Sequence, residues 1–182
     1  MTTIDSSAPA YTGIDDLSVG LADGVLSVTL NRPDSLNSLT AAMLKGIADA
    51  LEQAAGDPRV KVVRLCGAGR GFSSGAGISD EDQAKKVADG PASVIDAANR
   101  AVRSIVTLPQ PVVAVVQGPA AGVGASLALA CDVVLASEKA FFMLAFTKIG
   151  LMPDGGASAL IAASVGRHRA MRMALLAAHS GR

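Results

Sequence analysis

Four stretches of the chain, two of them overlapping, combine small residues with groups able to do chemistry. Gly71-Phe72-Ser73-Ser74-Gly75 matches G-x-S-x-G, the turn that lifts a nucleophilic serine between a strand and a helix. Its context argues against that use. The preceding strand is expected to end near Leu65 or Cys66, and Ala76-Gly77-Ile78-Ser79-Asp80 opens no helix. The two histidines, His168 and His179, sit in an Arg-containing helical tail and read as solvated. Gly67, Gly69 and Gly71 follow a strand as a dinucleotide fingerprint would, but Phe72 takes the third glycine position. With both histidines far from any cysteine or carboxylate cluster, the pattern supports no zinc site.

The second and third stretches are two glycine-rich turns, Ser73 to Ile78 and Gly118 to Gly124, each after a buried strand and the second at the start of a helix. Such turns aim backbone N–H groups at one point, and a helix start adds its positive dipole end. A hole for a developing oxyanion is built in this way from main chain alone. The same small residues equally serve close packing of strand on helix, and the pattern leaves both readings open. Asp154 lies in Leu151-Met152-Pro153-Asp154-Gly155-Gly156, which is ordinary turn chemistry and a ready cap for the following helix.

The elements that must position these groups follow from periodicity. Val25 to Leu30 reads as a strand stopped by Asn31-Arg32-Pro33. Thr40 is placed to cap a helix whose apolar face is Met43, Leu44, Ile47, Leu51 and Ala54, ending near Gly56. Val60 to Leu65 is a second strand. Ile95, Ala98, Val102, Ile105 and Val106 make a further helical stripe, and Val112 to Val116 reads as a strand covered on both faces. A small-residue turn leads into a helix over Ala125 to Cys131, then a strand over Asp132 to Ala136. Phe141 to Phe146 reads as extended, and Ala157 to Ala178 as one or two helices broken near Gly166. Strands alternating with helices at crossover spacing predict an α/β fold with parallel strands.

Composition narrows the function classes. Half of the 182 residues are apolar, yet 34 alanines stand against 5 aromatics, so the core depends on close backbone approach. Lys+Arg and Asp+Glu balance at 16 each, which offers no basic field for nucleic acid or an anionic membrane. No apolar run approaches the roughly 18 residues a membrane span needs. Residues 1–16 read as a flexible polar tail without a secretory signal, and 17–182 as one core. Cys66 and Cys131 lie in apolar segments without CxxC spacing, which reads as buried free thiols and a cytoplasmic setting.

Five ordered blocks resemble the crotonase (enoyl-CoA hydratase/isomerase) superfamily over about residues 17 to 180. They are Asn31-Arg32-Pro33 with Leu36-Asn37-Ser38-Leu39, Arg70 to Ile78, Pro111 to Gly124, Ala130-Cys131-Asp132, and Gly150 to Gly156. The resemblance implies an α/β fold, a crotonase-like spiral of β-β-α turns, with the C-terminal helical segment largely missing. Family members usually continue past the equivalent of Arg182 into helices that complete trimer contacts and cover the acyl pocket. It also implies an acyl-CoA thioester as substrate, no other cofactor, and a homotrimer or hexamer. The family's two oxyanion donors fall on the main chain of Ala76 and Val123. Its coenzyme A contacts fall on Ser74, Ala76 and Ile78.

Departures from the family pattern bear on the reaction. Gly77 stands where the family usually has Asp, and Gly122-Val123-Gly124 where it has three glycines. The two glutamates with which enoyl-CoA hydratases add water fall on Ser126 and Phe146, neither of which transfers protons in that role. The blocks are most similar to the Δ3,Δ2-enoyl-CoA isomerase and phenylacetyl-CoA epoxide isomerase branch, whose single acid falls on Asp154. Burial against Phe146, Leu151 and Met152 is expected to raise its pKa. Isomerisation through Asp154 is the leading expectation. Hydration by another constellation, and a member that binds acyl-CoA without turnover, are the alternatives.

Overall fold

A computed structural model describes residues 10–77 and 91–177 of the chain, with side chains described from residue 94 in the second span. Alternating apolar residues build the central sheet. Its strands are β1 (Leu17–Ala22), β2 (Val25–Leu30), β3 (Val62–Gly67), β4 (Val112–Val116) and β6 (Val133–Ala136), ordered β1-β2-β3-β4-β6. β1 pairs antiparallel with β2, and the other neighbours are parallel. The register aligns Leu26 with Val63 and Val112, and Val28 with Leu65 and Ala114, so one face is wholly buried. β1 is absent from the reading of the sequence, although Asp23-Gly24 between two apolar runs is a strong hairpin signal. Both turn residues take positive φ, 49° and 81°.

Helix α1 (Ala41–Ala55) begins where expected, with Thr40 Oγ1 accepting from Met43 N–H at 3.2 Å. Met43, Leu44, Ile47, Leu51 and Ala54 are buried in one continuous core. Helix α2 (Pro91–Val106) packs on α1, and Arg100 joins them by pairing with Asp49 and Glu52. Its buried face is rotated from the expected stripe. Ala98, Val102 and Ile105 are buried together with Val94, Ala97 and Ala101, whereas Ile95 and Val106 are 46% and 54% exposed. Alanines let α2 approach α1 closely enough that the larger residues at the stripe's margins are left outside.

Two further expectations change at the far edge of the sheet. Val113 and Val115 are only half-buried, and Val133 and Leu135 on β6 are largely exposed, so β4 is covered on one face. Cys131 is buried and Cys66 partly buried, and both are free thiols. Residues 10–16 do not trail from the core. Ile14 and Leu17 exchange backbone hydrogen bonds at 2.9 Å, and Tyr11 Oη donates to Asp57 Oδ2 at 3.1 Å. Arg59 also grips Asp57, which holds that carboxyl well below the usual carboxylate range.

The remaining elements carry the loops of interest. β5 (Pro119–Ala121) and β7 (Phe141–Met143) form a separate parallel pair. α3 (Val123–Ala130) follows β5 directly, and α4 (Ala157–Val165) and α5 (Arg167–Leu176) break at Gly166 as expected. Phe146 is not extended but belongs to a 3-10 turn, Ala145–Ile149. No helix among the described residues is long and apolar enough to cross a membrane.

Candidate active-site cleft

A cleft of about 470 Å³ opens between the loop after β3, the start of α3 and the loop before α4. Its lining includes Ser74, Ala76, Val123, Phe146, Leu151 and Asp154. Four of the expected site residues, Asp154, Ala76, Val123 and Ser74, are thus gathered in one place from segments up to 80 positions apart (154 − 74). Ile78 lies outside the described residues.

Two side-chain amides shape the loop after β3. Asn37, wholly buried, accepts from Arg32 N–H at 2.8 Å and donates to the carbonyls of Ala68 and Gly71 at 2.8 and 2.9 Å. Gln117 Nε2 lies 2.8 Å from the Gly67 and Gly71 carbonyls and 3.1 Å from that of Gly69. Neither positioning role was drawn from the sequence. The one available signal was an asparagine shortly after Pro33, a residue type that tolerates the left-handed φ of 55° found at Asn37. Replacing Asn37 with Ala is expected to destabilise the fold by about 3 to 5 kcal/mol, because it strands buried backbone groups and puts a Cβ-bearing residue without local hydrogen bonds in that conformation. Urea unfolding with an unchanged m-value measures this, and a loss below about 1 kcal/mol would contradict it.

Farther along the loop, Ser73 and Ala120 form a parallel bridge, and Leu39 and Ala76 another. Leu39 N–H donates to the Gly75 carbonyl at 2.8 Å, and Gly77 N–H to the Leu39 carbonyl at 3.2 Å. In parallel pairing the intervening residue turns its own N–H to the opposite side, so Ala76 N–H faces away from Leu39. Gly75, at φ 92°, brings this loop against β5. A Cβ there would stand 2.8 Å from the Ala121 carbonyl oxygen.

Ser73 itself is inaccessible. Its hydroxyl donates to the Asn37 carbonyl at 2.9 Å and accepts from Gly75 N–H at 3.1 Å, with the residue fully buried. It secures the loop and is not presented as a nucleophile. Ser74 stands at the rim, where its N–H is used by the Leu36 carbonyl and its hydroxyl by the Ser35 carbonyl.

The second expected donor, Val123 N–H, opens α3. Gly122, with φ 51°, turns the chain from β5 into the helix and provides no side-chain cap. Val123 is the first helical residue, so its N–H has no intrahelical partner. Among the described residues, neither Ala76 N–H nor Val123 N–H meets an acceptor. Almost all of α3 is buried, which keeps the dipole at its start poorly screened.

Asp154 lies in the loop between the 3-10 turn and α4 and is half-buried. Its carboxylate does not cap α4. The cap is Gly156, without a side-chain bond, and it is the Asp154 main-chain carbonyl that accepts from Ala157 N–H at 3.0 Å. Oδ1 is buried with no hydrogen-bond partner. Burial pushes this carboxyl above the ordinary aspartate value. Phe146 and Leu151 share the cleft, but Leu151 is itself 54% exposed and Met152, at 83%, makes no part of the cover expected of it. Arg32 and Lys148 are the cationic side chains in the lining.

Parallel crossovers here bring two N–H groups without acceptors and a half-buried carboxyl into the lining of one cleft. A family model described as enoyl-CoA hydratase/isomerase matches residues 20–181. The chain belongs to this family, within the crotonase superfamily. It is 43% identical over 155 residues to the 1,2-epoxyphenylacetyl-CoA isomerase of Escherichia coli K12, covering 84% of this chain and 59% of that protein. With the 2,3-dehydroadipyl-CoA hydratase of the same organism it shares 36% identity over 162 residues, covering 89% and 62%. A crystal structure of an enoyl-CoA hydratase from Mycobacterium avium subsp. paratuberculosis K-10 superposes with a TM-score of 0.83 at 66% identity, covering 93% of this chain and 66% of that one. The chain thus spans about three-fifths of the length of these curated relatives.

Proposed function

We propose that the protein binds an acyl-CoA thioester in this cleft and moves a double bond from C3 to C2 of the acyl chain. Asp154 takes a proton from C2, giving a dienolate whose negative oxygen receives hydrogen bonds from Ala76 N–H and Val123 N–H. The same carboxyl returns that proton at C4, leaving the conjugated 2-enoyl thioester and a regenerated carboxylate. The observation that carries this reading is the buried, partnerless Asp154 Oδ1 sharing one cleft with two N–H groups that lack acceptors. Ser126 and Phe146 at the two positions where hydratases of the family carry glutamates favour isomerisation over hydration. The main chain of Ser74, Ala76 and Ile78 would contact the adenine and pantetheine of coenzyme A, with no further cofactor. A homotrimer, or two trimers paired as a hexamer, is what the family resemblance supports, and the free thiols Cys66 and Cys131 favour a cytoplasmic setting.

The test is to incubate the protein with a trans-3-enoyl-CoA and follow the absorbance of the conjugated product. Product formation supports the reading. Acyl-CoA bound without conversion would overturn it in favour of a noncatalytic member.

The rate is expected to depend on pH with a defined sign. Asp154 must be ionised to accept the C2 proton, so kcat/KM should fall as pH drops through its pKa. Because burial raises that pKa, the acid limb should lie above the ordinary aspartate value of about 3.9. A limb at or below that value would contradict the desolvated state.

A further inference from the structure

We infer that Ser126 is a positioning residue, whose buried hydroxyl fixes the Asp154 loop against α3 and so sets where the carboxylate stands in the cleft. The inference rests on the isomerase reading for its catalytic consequence, but its geometric content stands apart from it. Ser126 is fully buried in the first turn of α3. Its Oγ lies 3.2 Å from the Asp154 carbonyl oxygen and 3.4 Å from that of Gly122. One hydroxyl proton serves one acceptor at a time. The shorter contact crosses between elements, while the longer is the local i−4 bond open to any helical serine.

Shape reinforces the tie. Gly155, at φ 56°, rests on Ser126 so closely that a Cβ on it would stand 3.2 Å from Ser126 Cβ and 3.3 Å from its Oγ. The Asp154 carbonyl is therefore held from two sides, by Ser126 on α3 and by Ala157 N–H on α4. A carbonyl fixed at two points fixes its own Cα, and with it the reach of the side chain. Gly122 immediately precedes Val123, so the same hydroxyl sits between the oxyanion donor and the carboxyl-bearing loop. The charged groups lining the cleft with Asp154 are Arg32 and Lys148, and Arg167 of α5 lines a second cavity together with Pro153. Among the described residues that line these cavities, no second carboxylate or histidine is present to account for its titration.

Ser126→Ala removes the hydroxyl while keeping a good helix former, so the fold should persist. The decisive readout is the carboxyl carbon resonance of Asp154, followed by pH titration in protein labelled at aspartate and assigned through Asp154→Asn. In the wild type it should titrate above the ordinary value. In Ser126→Ala it should move down towards that value, because the released loop lets water reach the carboxylate. Turnover of a trans-3-enoyl-CoA should fall about 3- to 10-fold in kcat, the worth of one hydrogen bond, with KM unchanged and the acid limb shifted the same way. An identical Asp154 titration in both proteins would overturn the positioning role, whatever the thermal midpoint does. A shifted titration in a protein that does not isomerise would leave the positioning role standing and remove the isomerase reading.

Discussion

Asp154→Asn is expected to lower kcat for the 3-enoyl to 2-enoyl conversion by about 10²- to 10⁴-fold, the range associated with a positioned general acid–base. Asparagine has nearly the same shape and hydrogen-bonding reach but neither accepts nor returns a proton. Acyl-CoA affinity should stay within about threefold, because the lost group acts in the transition state and not in ground-state binding. The Asp154 main-chain carbonyl, which anchors the loop to Ser126 and Ala157, is untouched, so geometry should persist. Stability provides an independent check. A carboxyl whose folded pKa is raised contributes stability below its unfolded pKa and loses it as pH rises through the folded value. At neutral pH the ionised Asp154 is therefore a burden, and Asp154→Asn should unfold at an equal or higher temperature than the wild type there, with the advantage fading in acid. Undiminished turnover in the variant would place proton transfer on another group.

The second large effect is expected from Val123→Pro. Proline is accommodated at the first position of a helix, where the missing N–H has no intrahelical partner to lose. At Val123 it would delete the N–H proposed as an oxyanion donor, together with the packing of a buried valine side chain. Removal of a single such donor typically costs about 10²- to 10³-fold in kcat, or roughly 3 to 4 kcal/mol. Val123→Ala is the matched control. It trims the buried side chain but keeps the N–H, and its kcat should stay within about threefold of wild type, with some lost stability from the small cavity. Far-UV circular dichroism and thermal midpoints of both variants separate a lost donor from a lost helix. Equal kcat in Val123→Pro and wild type would remove this N–H from the mechanism.

Much of the scaffold is legible in the sequence because it rests on local rules. The Thr40 cap, the Met43-Leu44-Ile47-Leu51 stripe and the branched run of β4 each follow from one period and one capping or breaking residue. The hairpin of β1 and β2 was legible by the same means, through Asp23-Gly24 between two apolar runs. β5 was not, since Pro119-Ala120-Ala121 becomes a strand only because β7 and the Ser73 segment lie beside it. The rotated face of α2 and the exposed Val133 and Leu135 depend likewise on what packs against them, which periodicity does not encode.

The same division runs through the cleft. Residue types alone place two glycine turns after buried strands, while the resemblance to the family implies Asp154 as the acid, with Ser126 and Phe146 at the hydratase glutamate positions. Whether the Asp154 carboxylate caps the following helix was open, because Pro-Asp-Gly-Gly suits both a cap and a plain turn. Tertiary structure decided it. Gly156 takes the cap position, the main-chain carbonyl meets Ala157 and Ser126, and Oδ1 is left buried and unpaired. It also made Ser73, already read as no nucleophile, a buried loop anchor and gave Asn37 and Gln117 their work. Hydrogen bonds between residues tens of positions apart carry no local signature, so the sequence determines which groups are available for chemistry, and only the packed chain determines which of them are left free to do it.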